Sequence, residues 1–167
     1  MTIMTTTMKI KVFDNFLSDE EQDDVLNYCE NIAQFKYGES DDGKTPPCGV
    51  THDIPKDVSI YKLLEEKIKP LSPEGTPLWR MYINCFAPRE IPYFHTDGDD
   101  GVTFLYYPQL EWKPNDGGET QFYVNGNIQG VVPTPNRLVS FDARILHRAT
   151  SFRDNWRFTV AIKYESG

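Results

Sequence analysis

Apolar and polar positions alternate through "LWRMYINCF". Tyr82, Asn84 and Phe86 fall on one face, and Met81, Ile83 and Cys85 on the other. That period of two predicts a strand with two different faces. Similar patterns predict strands over Val102–Tyr107, Glu119–Tyr123, Ile128–Val132, Arg137–Phe141, Ile145–Ser151 and Arg157–Tyr164, with turns at "PNDGG", "VNGN" and "TPN" between them. Nearer the start, "KIKVFDNF" reads as a first strand. Ser18 and Glu21 then form a capping box that opens a helix with Val25, Leu26, Cys29, Ile32 and Ala33 on its apolar face. A second helix fits "KDVSIYKLLEEKIKPL" and ends near Pro70. Residues 37–55 between the helices are polar and rich in Pro and Gly. Long loops of this kind are lids, binding loops or disordered segments. The pattern as a whole predicts an α+β chain, mainly β: an antiparallel barrel or sandwich with helices packed on one side. A jelly roll is a natural solution.

The length of 167 residues suits one domain with one core. Residues 1–7 read as a loose tail, with Met8 as an alternative start, and 8–167 as the single domain. Within it, 8–78 supply helical support and a substrate loop, and 79–167 supply the β core. The net charge of −8 argues against non-specific nucleic-acid binding, which depends on neutralising phosphates. Residues 137–167 carry six basic and three acidic residues, so this stretch is +3. Such a basic end attracts a small anion, although surface strands also carry arginines for solubility alone. The three cysteines, an odd number without CxxC, suit a reduced intracellular protein, and Cys29 reads as a core thiol. No apolar run is long enough for a signal peptide or anchor, so the expectation is a cytoplasmic protein with no membrane partner.

Only three histidines are present: His52, His95 and His147. His52 lies in the polar stretch directly beside Asp53. Neighbouring strand residues point to opposite faces, so that pair is a poor chelate and His52 reads as a loop residue. His95 and Asp97 are two apart, and on a strand both project from one face. Asp97 is preferred over Asp99 and Asp100 because Gly98 breaks the strand after it; the later acids solvate the turn. His147, 52 residues further on, can meet this pair in a rolled sheet. Two histidines and one carboxylate on one face of a metal make the facial triad of non-haem Fe(II) oxygenases. HxD alone is a weak signal, since such tripeptides occur by chance.

Ten residues after His147, Arg157 opens the apolar strand "RFTVAIKY". A buried arginine needs an anion, supplied either by an internal Asp or Glu or by a bound carboxylate gripped through its planar fork. Thr159 lies on the same face and offers a hydroxyl.

The succession "HTD", "VTFLYYPQLEW", "GGETQFY", "PTPNRLVSFDARILH" and Arg157 resembles the 2-oxoglutarate- and Fe(II)-dependent dioxygenases, and within them the prolyl-4-hydroxylase-like branch that includes the HIF-type prolyl hydroxylases. The resemblance covers about half the chain, from Tyr82 to Tyr164. It implies a double-stranded β-helix core (jelly roll, cupin-like) with the N-terminal helices packed on one sheet. It implies His95, Asp97 and His147 as iron ligands, and Arg157 as anchor of the distal carboxylate of 2-oxoglutarate. Tyr107, with Thr159, would assist that anchor. Where relatives carry a tyrosine before the HxD loop, this chain has Phe86, so Tyr82 or Asn84 takes the polar role. The family's "YLN" is "YPQ" here, and the late strand position often held by tryptophan is Lys163.

The implied chemistry consumes O2 and 2-oxoglutarate, releases succinate and CO2, and hydroxylates a substrate C–H bond, with ascorbate as a candidate accessory. A prolyl residue of a peptide or protein is the leading substrate. The rivals are the same chemistry on a free amino acid or other small molecule, and a metal-binding jelly roll without turnover. A nucleic-acid demethylase fits poorly, since no second arginine lies six residues beyond Arg157. Neither the target nor the oligomeric state is legible.

Overall fold

The computed structural model describes residues 9–41 and 43–166; the predicted tail and Met8 lie outside them. Among the described residues, nine strands and two α-helices follow one another as β1 (Ile10–Phe13), α1 (Asp19–Asn27), β2 (Val50–Asp53), α2 (Ser59–Ile68), β3 (Leu78–Phe86), β4 (Val102–Tyr107), β5 (Thr120–Val124), β6 (Asn127–Val131), β7 (Arg137–Asp142), β8 (Leu146–Arg148) and β9 (Arg157–Tyr164). The strands form a six-stranded sheet in the order β1-β7-β4-β9-β3-β2 and a three-stranded sheet in the order β6-β5-β8. Every strand pair is antiparallel.

The large sheet separates two apolar clusters, and strand parity decides which residue joins which. Met81, Ile83, Phe104, Tyr106, Leu138, Val160 and Ile162 pack against Val25, Cys29, Ile60, Leu64 and Ile68 of the helical layer. Their neighbours Tyr82, Leu105, Tyr107, Val139 and Ala161 point the other way, where they join Phe122, Val131 and Ile145 between the sheets. The mainly β architecture and the helices on one sheet therefore follow the hydrophobic pattern.

Only α1 begins at a polar cap; α2 follows Val58, which makes no side-chain cap bond. Ser18 caps α1, accepting from the Glu21 backbone while the Glu21 side chain accepts from Ser18 N. After Asn27 the chain widens into a π-turn over Tyr28–Ile32, closed by Ala33 N donating to Tyr28 O. The wider turn shifts the helical phase. Ile32, expected on the buried face, is 55% exposed, whereas Cys29 is buried as expected. α2 starts at Ser59, three residues later than predicted, and ends in a 3₁₀ turn over Lys69–Leu71.

Three further expectations need correction. The stretch 37–55 is not loop throughout, because its last residues form edge strand β2, paired with β3. His52 is accordingly a strand residue. Its ring meets the Tyr28 hydroxyl at 3.0 Å and the Gln34 backbone, remote from the other two histidines. The predicted strand 145–151 shrinks to Leu146–Arg148.

Asn136, in the "TPN" turn, ties the N-terminal segment to the sheet. At φ +61° it adopts the left-handed backbone that asparagine tolerates. Its side chain accepts from Leu17 N and the Tyr106 hydroxyl and donates to Leu17 O.

Candidate active site

His95 and Asp97 do not lie on a regular strand. The segment before β4 is irregular, and His95 is held by an isolated bridge in which His95 and His147 each donate a backbone N–H to the other's carbonyl, at 3.0 and 2.9 Å. Asp97 N donates to Ala143 O at 2.8 Å, which pins the acid to the turn between β7 and β8. The convergence expected from strand periodicity is thus achieved by docking a loop against β8.

The three side chains meet at one point, with ligand atoms within 4.8 Å of one another. Each imidazole is oriented through its Nδ1: His95 Nδ1 lies 3.0 Å from Tyr93 O and His147 Nδ1 2.8 Å from Ile145 O. A carbonyl can only accept, so Nδ1 carries the proton and Nε2 presents its lone pair inward. His95 Nε2 is 3.6 Å from Asp97 Oδ1, and His147 Nε2 is 3.5 Å from Oδ2. Phe141 and Phe122 wall the His147 ring. Two aligned neutral imidazoles and one buried carboxylate, each with its outer atoms already engaged, are a donor set that fits a divalent transition metal.

Two further groups hold Asp97. Thr103 Oγ1 donates to Oδ2 at 2.6 Å, and Lys163 Nζ lies 3.1 Å from Oδ1. Burial raises the pKa of the Asp97 carboxyl, but His147, His95, Lys163 and Thr103 together outweigh it and hold the acid well below the usual carboxylate range. Burial pushes His147 down. For His95, burial is overcome by Asp97 and Asp41, and its pKa is raised.

At the other end of the same cavity lies Arg157, 1% exposed. Its Nε donates to Gly118 O at 2.9 Å, Nη1 to Thr159 Oγ1 at 2.7 Å and Nη2 to Thr120 Oγ1 at 3.1 Å. The guanidinium carbon lies 5.5 Å from the centroid of the buried Tyr107 ring, whose hydroxyl shares a bond with Thr120. Among the described residues, Arg157 makes no ion pair with Asp or Glu. Its hydrogen-bond partners are all neutral oxygens, so among the described residues no carboxylate contacts this buried positive charge, and Glu119 acts on it only at a distance. Gly118 permits this arrangement: φ is +81°, and a Cβ there would lie 2.5 Å from the Phe152 ring. That accounts for the "GG" ahead of β5.

Of the other predicted site residues, Tyr82, Asn84 and Thr159 line the cavity, whereas Tyr107 contributes through Thr120 behind it. Phe86 also lines it. Thr103 and Thr120 escaped the sequence reading, as did Asp41. For Thr103 the signal was parity alone, since it shares a face of β4 with Leu105 and Tyr107; Asp41, in an irregular loop, had none. Trp79, Trp112 and Trp156 do not line the cavity. Glu39, Asp41 and Cys48 do, so the loop between α1 and β2 contributes to the lining. The loop is latched by Arg80, whose guanidinium bonds both carboxylate oxygens of Glu39 at 2.6 and 2.9 Å and also grips Asp53.

No protein-family model and no curated protein matches the sequence. Solved structures do. A prolyl hydroxylase from Trichoplax adhaerens, in complex with a hypoxia inducible factor oxygen degradation domain peptide fragment, superposes with a TM-score of 0.77 at 18% identity, over 94% of this chain and 83% of that one. A Pseudomonas putida prolyl-4-hydroxylase gives 0.71 at 16% identity, over 95% and 94%. An oxidoreductase of the 2OG-Fe(II) oxygenase family from Burkholderia pseudomallei gives 0.72 at 13%, over 95% and 85%. The chain therefore has the fold of prolyl hydroxylases and related 2OG-Fe(II) oxygenases over nearly its whole length.

Proposed function

We propose that this protein is an Fe(II)- and 2-oxoglutarate-dependent dioxygenase. The observation that carries the reading is one cavity with complementary ends: a His95–Asp97–His147 donor set at one, and at the other a buried Arg157 whose protein partners are all uncharged. We read the two sheets as the double-stranded β-helix of that enzyme class. Iron bound by the triad would supply O2 activation coupled to decarboxylation of 2-oxoglutarate, leaving succinate and CO2 and placing one oxygen atom in a substrate C–H bond. The chain's own task is positional. Arg157, with Thr159 and the Tyr107–Thr120 pair, grips the distal carboxylate of the cosubstrate. The neutral Nδ1–H tautomers keep both imidazoles aimed. Phe122, Phe141 and the aliphatic wall exclude water.

The substrate we infer is a prolyl residue in a peptide or protein. Supporting this are the peptide bound by the Trichoplax neighbour and the loop between α1 and β2, which lends Glu39, Asp41 and Cys48 to the cavity lining. Incubation with Fe(II), 2-oxoglutarate, air and proline-rich peptides should add one oxygen atom to peptide proline, read by mass spectrometry. His95→Ala and His147→Ala should each abolish succinate formation. Undiminished succinate in either variant would refute the oxygenase reading; oxidation of free amino acids but of no peptide would refute the peptide substrate.

A further inference from the structure

One charged group on the inner face of the large sheet has no part in the chemistry described so far. Lys163 occupies the last inward position of β9, six residues beyond Arg157 and on the same face. It is directly paired across the sheet with Thr103 of β4. These cross-strand partners are the two groups that hold Asp97 from outside the triad, Lys163 at Oδ1 and Thr103 at Oδ2. The lysine side chain is 11% exposed, and its ammonium sits 5.4 Å from the centroid of the Tyr82 ring.

A buried lysine is costly to keep. Charge balance alone does not call for one here, because a divalent ion on the triad already outweighs the one carboxylate within it, Asp97, and is matched even when Asp41, 3.4 Å from His95 Nδ1, is counted. With Lys163 present, the metal end carries a further positive charge. That surplus opposes a metal cation and attracts an anion. It is matched when the chelating end of 2-oxoglutarate, itself a carboxylate, arrives beside the metal.

We propose that Lys163 is a positioning residue of this site: its ammonium fixes the Asp97 carboxylate between two donors and moves the site's preference from the bare metal ion toward the metal together with an anionic chelator. The proposal rests on the metal-site reading above. It makes a prediction that a packing role does not, because removing the charge should shift the two affinities in opposite directions. A packing defect would weaken both.

The test uses Mn(II), which is redox-silent, and 2-oxoglutarate as probes of the full chain, with thermal melts to establish folding. Lys163→Met removes the charge and keeps the stem. Lys163→Gln removes the charge but keeps a hydrogen-bond donor, and Lys163→Arg keeps the charge. In calorimetric titrations, Lys163→Met and Lys163→Gln should each bind Mn(II) roughly tenfold more tightly than wild type and should bind 2-oxoglutarate to the Mn(II) form roughly tenfold more weakly. Lys163→Arg should stay close to wild type in both. Unchanged or weakened Mn(II) binding in the folded uncharged variants overturns this proposal alone. A wild-type protein that binds no Mn(II) overturns it together with the metal-site reading beneath it.

Discussion

The two faces of the large sheet are made by the same strands and do opposite work. On β9, Val160, Ile162 and Tyr164 belong to the helical core, while Arg157, Thr159 and Lys163 alternate with them on the other face, the first two lining the cavity and the third reaching Asp97. On β4, Phe104 and Tyr106 face the helices, and Thr103, Leu105 and Tyr107 face the cavity side. The apolar face supplies the burial that makes the sheet stable, and this lets its reverse side carry a buried arginine, and a buried lysine that meets the Asp97 carboxylate of the docked loop. A one-residue slip in register would exchange the two sets, so site and core are specified together.

This division can be broken from either side. The largest effect is expected at Arg157. Arg157→Met should weaken 2-oxoglutarate binding on the order of a hundredfold, because two or more charge-assisted bonds are lost. Isothermal titration of the metal-loaded protein measures it, and binding within a few-fold of wild type would place the cosubstrate elsewhere. On the other face, Leu64→Ala opens a cavity at a fully buried position. It should cost about 2–5 kcal/mol of stability in urea denaturation, with 2-oxoglutarate affinity of the folded protein nearly unchanged. A large affinity loss there would mean that the faces are not separable. Gly118→Ala lies between these in kind. The new methyl meets Phe152 from a left-handed backbone position and displaces the carbonyl that receives Arg157 Nε. It should cost roughly 1–3 kcal/mol of stability and also reduce cosubstrate affinity.

The smallest effect belongs to the loop latch. The side-chain bond from Arg80 holds the Glu39 carboxyl below its usual value of 4.5, against the opposing effect of burial. A carboxyl lowered on folding stabilises the native state above its unfolded pKa, and that contribution disappears as pH falls through the folded value. The melting-temperature gap between wild type and Glu39→Gln should therefore be present at neutral pH and close below about pH 4.5. Glu39 is partly exposed, so the gap should correspond to less than about 1 kcal/mol. A gap that widens in acid would contradict the latch.

Much of this organisation is legible in the sequence because it follows from alternation. The two faces of β3, β4 and β9 and the capping box at Ser18 follow from residue type and spacing, whereas the meeting of His95, Asp97 and His147 is implied by the family resemblance, HxD alone being a weak signal. What escaped depends on partners distant in the chain. β2 is polar and pairs through its backbone at a sheet edge, so no hydrophobic period announces "VTHD". Ile32 is turned outward by a π-turn, which a 3.6-residue period does not anticipate. His95 and Asp97 are aligned by a bridge to β8 instead of by a strand of their own. Lys163 stands out as a departure from the family pattern, yet its bond to Asp97 follows only from the register that sets it beside Thr103.

The central claim is that one cavity holds a metal at the triad and the distal carboxylate of 2-oxoglutarate at Arg157. An anaerobic titration of 2-oxoglutarate into the Fe(II)-loaded protein, followed by its visible charge-transfer absorption, tests both ends together. The account predicts a saturable band in the wild type, no band in His147→Ala, and a band in Arg157→Met only at far higher 2-oxoglutarate. Equal bands at equal concentrations in all three proteins would contradict it.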